Sequence, residues 1–372
     1  MGLPSGKPDH ARRGAGAHRC PDRGKAPPRI RAGGGRGADH LSRLWALDAF
    51  LPPLLLTVCL LLSSTLPLRA QEITLATWHA DLSRKGPGLL LRDLAEMRPP
   101  LPAMLDEIAA AKADLLLLTD MDFDLGLAAL RDLQDRLSKL GASYPHAFAL
   151  TPNAGMASGA DLDGDGRLGG PRDAQGYGEF SGQHGMALLS RVPLALIEDF
   201  SALLWRDLPG SRMLATDPAA DVQRLSSTGH WVLRLESDTG PLLLFCFAAT
   251  PPVFDGPEDR NGRRNADEIA LWSRYMDGAL GPPPAAPYLL MGNANLDPAQ
   301  GEGLHGEMQR LLADPRFQDP LPERPTAEWP STGPLRVSYI LPSAGLRVTR
   351  AEAKEPLEGQ AHRLVTVTLS FP

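Results

Sequence analysis

The densest group of chemically useful side chains is Asp161-Leu162-Asp163-Gly164-Asp165-Gly166-Arg167-Leu168. Carboxylates at positions 1, 3 and 5 of a loop, with glycine at position 6, are what an oxygen cage for calcium needs. The closing glutamate of such a loop is replaced by Arg172, and Asp173 follows one residue late. The spacing predicts a structural calcium site on Asp161, Asp163, Asp165 and Asp173; a solvated acidic turn is the alternative. A second group, Arg260, Arg263 and Arg264, lies in a polar turn that leads into a helix. Guanidinium groups there can grip an anionic ligand; a solvated helix entrance is the other reading. His184 and His230 stand alone in sequence and are expected to be structural. Cys246 sits in the apolar run Leu242–Phe247, which predicts a buried thiol without an intramolecular disulfide.

The elements that carry these groups alternate between short apolar runs and amphipathic stretches. Ile73–Trp78, Asp114–Thr119, Met186–Ser190, His230–Glu236, Pro241–Ala248, Tyr288–Met291, Leu335–Leu341 and Arg363–Ser370 read as strands. Asp114–Thr119 is a continuous apolar run with polar ends, as a strand buried on both faces requires. Pro102–Lys112 reads as a helix. Asp124 is placed to cap a further helix with a stripe of Leu127, Leu130, Leu133, Leu137 and Leu140, stopped by Gly141. Asn265 and Glu268 have capping-box spacing and predict a helix start. Residues 151–183 read as a long polar loop. No internal repeat interrupts residues 71–372, so one α/β domain is predicted there.

Residues 1–44 carry ten Lys or Arg against three acids and have almost no apolar periodicity. This composition predicts a disordered leader, or sequence upstream of a misassigned start, with a nucleic-acid-binding arm as the alternative. Residues 45–70 contain the apolar run 49–68 behind a basic flank, followed by Leu68-Arg69-Ala70. That layout predicts a cleaved signal peptide and an exported, periplasmic or extracellular protein; a retained anchor is the alternative, and membrane contact is expected only then. The full chain has 372 residues and a formal net charge of −6. Residues 71–372 alone hold 27 Lys+Arg and 40 Asp+Glu, a net of −13. Such a surface repels a phosphate backbone, so nucleic acid is not expected as a partner.

Seven phrases at the ends of predicted strands occur in a telling order. They are Thr77-Trp78-His79; Leu118-Thr119-Asp120-Met121-Asp122-Phe123-Asp124; Gly185–Arg191; Thr250-Pro251-Pro252-Val253-Phe254-Asp255-Gly256; Gly292-Asn293-Ala294-Asn295; Arg336-Val337-Ser338-Tyr339; and Gln360-Ala361-His362-Arg363-Leu364-Val365. Together they resemble the endonuclease/exonuclease/phosphatase superfamily of metal-dependent phosphoesterases, over essentially all of residues 72–372. The resemblance implies a four-layer sandwich of two packed mixed β-sheets flanked by helices. It also implies a Mg²⁺ site rich in carboxylates, since Mg²⁺ takes oxygen ligands and offsets the charge of a phosphoryl transition state.

The resemblance places the site on His79, Asp120, Asn293, Asn295, Ser338 and His362. His79 stands where the family has Asn, and Asp120 where it has the metal-binding Glu. Asn293 replaces the Asp that prepares water, while Asn295 is kept. Ser338 and Ala361 each replace an Asp, and His362 is kept. Four implied carboxylates thus become one. The implied outcome is a pseudoenzyme, with weak or lost hydrolysis and a cleft that binds a phosphate-ester ligand or a protein partner. The alternatives are a working hydrolase with a transition metal on Asp120, His79 and His362, and a calcium-stabilised binding scaffold.

Overall fold

The computed structural model describes residues 71–237, 240–285 and 287–371. The expectations for the leader, 1–44 and 45–70, lie outside the described residues.

Two faces of strand β1 (Gln71–Leu82) show how the layers arise. Ile73 and Leu75 pack between the sheets, while Ala76, Trp78 and Ala80 pack outward against helices. This is the side-to-side alternation of an extended chain. In β2 (Leu115–Met121) Leu115 and Leu117 face inward, and Leu116 and Leu118 outward. Both faces are therefore apolar, as the sequence predicted.

The first sheet is completed by β3 (His146–Phe148), β4 (Gly185–Ser190), β12 (Arg347–Ala353) and β13 (Val365–Phe371), in the order β12-β13-β1-β2-β4-β3. Within it β1 is parallel to β2 and antiparallel to β13. The second sheet runs β11-β8-β7-β6-β5, from β5 (Leu194–Asp199), β6 (Gly229–Ser237), β7 (Gly240–Ala248), β8 (Tyr288–Asn293) and β11 (Ser338–Pro342). A small ribbon joins β9 (Ala327–Trp329) to β10 (Gly333–Leu335).

Helices α1 (Leu89–Glu96), α2 (Leu101–Ala111) and α3 (Ala128–Lys139) cover the outer face of the first sheet. Helices α4 (Arg260–Met276) and α5 (His305–Leu312) cover the second. Asp124 caps α3 as expected, its carboxylate accepting from Ala128 and Ala129 N–H. The predicted start of α4 is corrected. The helix begins at Arg260, and Asn265 and Glu268 are buried inside it rather than capping it. Their side chains hold neighbouring loops instead. Cys246 is fully buried as predicted, and burial pushes its thiol pKa up. Among the described residues, no helix is long and apolar enough to cross a membrane.

Candidate functional site at the mouth between the sheets

Inward-facing positions turn polar at one end of the sandwich. On β1 the series Ile73, Leu75 continues to Thr77, His79 and Asp81; on β2, Leu115 and Leu117 lead to Thr119; on β8, Leu289 and Met291 lead to Asn293. Ser338 starts β11 opposite Asn293 in register. Alternation thus delivers these side chains to one mouth.

Paired irregularities sharpen the arrangement. The β1–β2 register shifts between His79 and Leu82, and the β2–β4 register between Thr119 and Met121. Asp81 and Asp120 sit in these breaks at φ 50° and 59°. Aspartate tolerates that left-handed conformation better than most residues. The bulges re-aim both carboxylates. As a result His79, Asp81 and Asp120 have ligand atoms within 4.8 Å of one another.

His79 is the hub. Its Nδ1 lies 2.9 Å from Asn293 Nδ2 and 3.1 Å from Thr119 Oγ1. Its Nε2 lies 3.9 Å from Asp120 Oδ2. Its ring contacts His362 at 4.2 Å between centroids. Asn293 bonds in turn to Asn295. Of the six positions in the implied site, five are linked by these contacts, and Ser338 is the strand partner of Asn293. The expected metal set differs in one member. Asp81 joins His79 and Asp120, whereas His362 stands outside the group.

Two participants were not singled out for chemistry from sequence. One is Asp81, whose signal was the His-x-Asp spacing on one strand face. The other is His184, whose Nδ1 donates to Asp120 Oδ1 at 2.5 Å. Burial alone would raise the Asp120 pKa, but the bond from His184 and the charges of His79 and His184 outweigh it and hold the carboxyl below its ordinary range. Burial opposes the His184 cation, but the Asp120 bond overrides it and raises the imidazole. Asp81 moves the other way, raised by burial and by Asp120 while His79 opposes. His362 is pushed well below its ordinary value by burial and by His79, and so stays neutral.

Among the described residues, His362 Nδ1 and Ser338 Oγ are both buried without a hydrogen-bond partner. Among the described residues, no carboxylate pairs with this histidine. Its ring is held by packing, with Trp329 edge-on at 5.0 Å and His79 on the other contact.

The Asn293–Asn295 turn is built from below. Asn265 on α4 donates to Ala294 O at 2.8 Å and to Thr250 O at 2.7 Å. Asn295 Nδ2 donates to Ala249 O, and Ala249 N–H donates to Asn293 O. Helix α4 therefore positions the site from inside the core.

The other two sequence-predicted groups lie in separate surroundings. Asp161, Asp163 and Asp165 gather closely enough to share one cation. Asp173 does not join them. Its carboxylate accepts from Leu162 and Gly170 N–H, which fixes the ends of the loop. The anion-binding expectation for the arginines is corrected. Arg264 is buried and donates to the carbonyls of Gln175, Arg224, Leu225 and Ser226. Arg263 pairs with Asp217, and Arg260 donates to Leu162 O. These guanidinium groups tie loops to α4.

The model of the endonuclease/exonuclease/phosphatase family matches residues 90–359. The chain belongs to this family. Among curated proteins, none matches it. An endonuclease/exonuclease/phosphatase from Beutenbergia cavernae shares the fold at 15% identity, covering 81% of this chain and 72% of that one with a TM-score of 0.50. A family protein from Bacteroides thetaiotaomicron is 14% identical over 82% of this chain and 99% of that one, TM-score 0.48. Sphingomyelinase C from Streptomyces griseocarneus is 15% identical over 80% and 99%, TM-score 0.44. The two packed mixed sheets flanked by helices are this family's sandwich.

The family is typically metal-dependent, and acidic groups able to bind a cation are present here. The donor set nevertheless does not fit Mg²⁺. That ion demands an octahedron of oxygens. Here one of three candidate donors is an imidazole, and the amide of Asn293 points an N–H at it.

Proposed function

We propose that this chain is an exported endonuclease/exonuclease/phosphatase-family protein whose Mg²⁺-dependent phosphoester hydrolysis is weak or lost, leaving a polar ligand-binding cleft. One observation carries the reading. At the position where the family prepares water, Asn293 presents an amide that cannot take a proton at neutral pH. The Nδ1 of His362, without a partner among the described residues, supports it, because none of them offers a carboxylate there to stabilise an imidazolium. Loss of several members of a catalytic unit together typically costs orders of magnitude in rate. Export is supported by the signal-like run at 49–68.

Phosphodiester and phosphomonoester model substrates, assayed with Mg²⁺, Mn²⁺, Ca²⁺ and Zn²⁺, test the proposal. The expected result is no steady-state turnover separable from that of Asp120→Ala. Turnover removed by both Asp120→Ala and His362→Ala contradicts it and favours a remodelled hydrolase. The convergence of Asp81, Asp120 and His79 is the observation behind that second reading.

We also propose that Asp161, Asp163 and Asp165 hold calcium in a structural role, as their spacing and proximity support. Chelation is then expected to lower the thermal midpoint and added Ca²⁺ to restore it. Asp163→Ala should abolish the response. A midpoint indifferent to chelation contradicts the calcium assignment.

A further inference from the structure

We propose that Asn293 locks the His79 imidazole in the tautomer with its hydrogen on Nε2, and so closes the His79–Asp81–Asp120 group to divalent cations. This rests on the reading that the cleft no longer holds its family's metal.

The orientation of Asn293 is settled by its neighbours. The Asn295 backbone N–H can only donate, and it meets Asn293 Oδ1 at 3.2 Å. The other amide atom is therefore Nδ2. It donates to Asn295 Oδ1 at 3.1 Å and to His79 Nδ1 at 2.9 Å, which uses both of its hydrogens. An imidazole nitrogen that accepts a hydrogen bond carries no hydrogen, so in neutral His79 the hydrogen is on Nε2. Thr119 Oγ1, 3.1 Å from Nδ1, adapts because a hydroxyl both donates and accepts.

Nε2 is the nitrogen that faces Asp120. A metal shared with Asp120 and Asp81 needs the Nε2 lone pair, and hence a hydrogen on Nδ1. That hydrogen would meet the Asn293 N–H head-on. Metal-bound histidines normally donate their second ring N–H to a carboxylate, carbonyl or water. Here the nearer outer partner, Asn293, is a donor; Thr119 Oγ1 could turn to accept the hydrogen, but the Asn293 N–H would still face it, so the three ligands are assembled but disfavoured as a metal set. An aspartate at 293 would accept from both the Asn295 N–H and an Nδ1–H of His79. The freed set, one imidazole and two carboxylates, suits Zn²⁺ or Mn²⁺ better than Mg²⁺.

The test has two readouts that do not depend on turnover. Nitrogen-15 spectra of the metal-free wild-type chain, at a pH where free histidine is neutral, should show His79 protonated on Nε2 and bare on Nδ1. Zn²⁺ titration calorimetry should show Asn293→Asp binding more tightly than wild type by about 10–100-fold. Asp81→Ala in that background should remove the gain, which separates this site from the acidic loop. A wild-type His79 protonated on Nδ1 overturns the proposal. So does a folded Asn293→Asp chain with wild-type Zn²⁺ affinity. Should Asn293→Asp not fold, the wild-type spectrum decides alone. Mg²⁺-dependent hydrolysis by a chain with the Nε2–H tautomer would refute the proposed function and leave the lock standing. An inactive chain with Nδ1–H would do the reverse.

Discussion

Glu268→Ala is expected to lower the unfolding free energy by about 3–5 kcal/mol, because it leaves three donors unsatisfied at about 1–3 kcal/mol each. Glu268 is fully buried on α4. Its Oε1 accepts from Ser227 N–H and Oγ, and its Oε2 from Thr250 N–H. It also offsets the buried Arg264 charge. Alanine would orphan three donors and remove the charge that offsets Arg264, whose bonds to four carbonyls would remain. Because Thr250 and Asn265 brace the Asn293–Asn295 turn, the loss should reach the cleft as well.

Its pH dependence provides a second check. Burial pushes Glu268 from 4.5 up to about 7, against the pull of Arg264. The folded chain therefore binds this proton more tightly than the unfolded chain. Stability from this group is greatest below pH 4.5 and declines as the pH rises to about 7. His230, pushed by burial from 6.5 down to about 3, acts with the opposite sign. Its contribution is present above 6.5 and lost as the pH falls towards 3. Denaturant midpoints across the range should show the Glu268 decline in wild type and not in Glu268→Ala. An unchanged slope, or a midpoint equal to wild type, contradicts the assignment.

Gly292→Ala is expected to cost about 4 kcal/mol or more, enough to abolish soluble folded protein. Gly292 lies at φ 145°, and a Cβ there would stand 1.9 Å from Phe247 O. That oxygen belongs to β7, paired in register with β8, so neither strand can withdraw without opening the sheet. The glycine immediately precedes Asn293, and the close approach of the two strands fixes where the amide is presented. Soluble yield and thermal midpoint are the readouts. A variant that folds with the wild-type midpoint would show that the strands yield more easily than this packing implies.

Much of the architecture was legible in sequence because the inner strands carry long apolar runs. β2, β6 and β7 fell where such runs predict strands. The edge strands β5 and β12 were not seen. Their side chains are mostly exposed or half-buried, so burial imposed little pattern on their residues. The start of α4 was misplaced because Asn265 and Glu268 have capping-box spacing but use their side chains to hold Thr250, Ala294 and Ser227. The arginines were misread for a related reason. A cluster of guanidinium groups looks alike in sequence whether it meets a ligand or backbone carbonyls.

The site was legible only in part. Strand-end phrases located His79, Asp120, Asn293, Asn295, Ser338 and His362. Asp81 escaped because the His-x-Asp spacing by itself does not announce the register break and positive φ that bring this carboxylate to Asp120. His184 escaped because its partner Asp120 is 64 residues away, on a neighbouring strand. The expectation of a single carboxylate is therefore amended: two stand beside His79. On the proposed function they do not replace Asn293, because the resemblance puts the water-preparing position at 293 and neither Asp81 nor Asp120 occupies it.

Steady-state silence has more than one cause, because slow product release can hide competent chemistry. Single-turnover measurement removes that ambiguity. The full chain, in excess over a phosphodiester with Mg²⁺ present, should give no more product than Asp120→Ala under the same conditions. Rapid conversion of the bound substrate by wild type, lost in Asp120→Ala, would contradict the account at its centre.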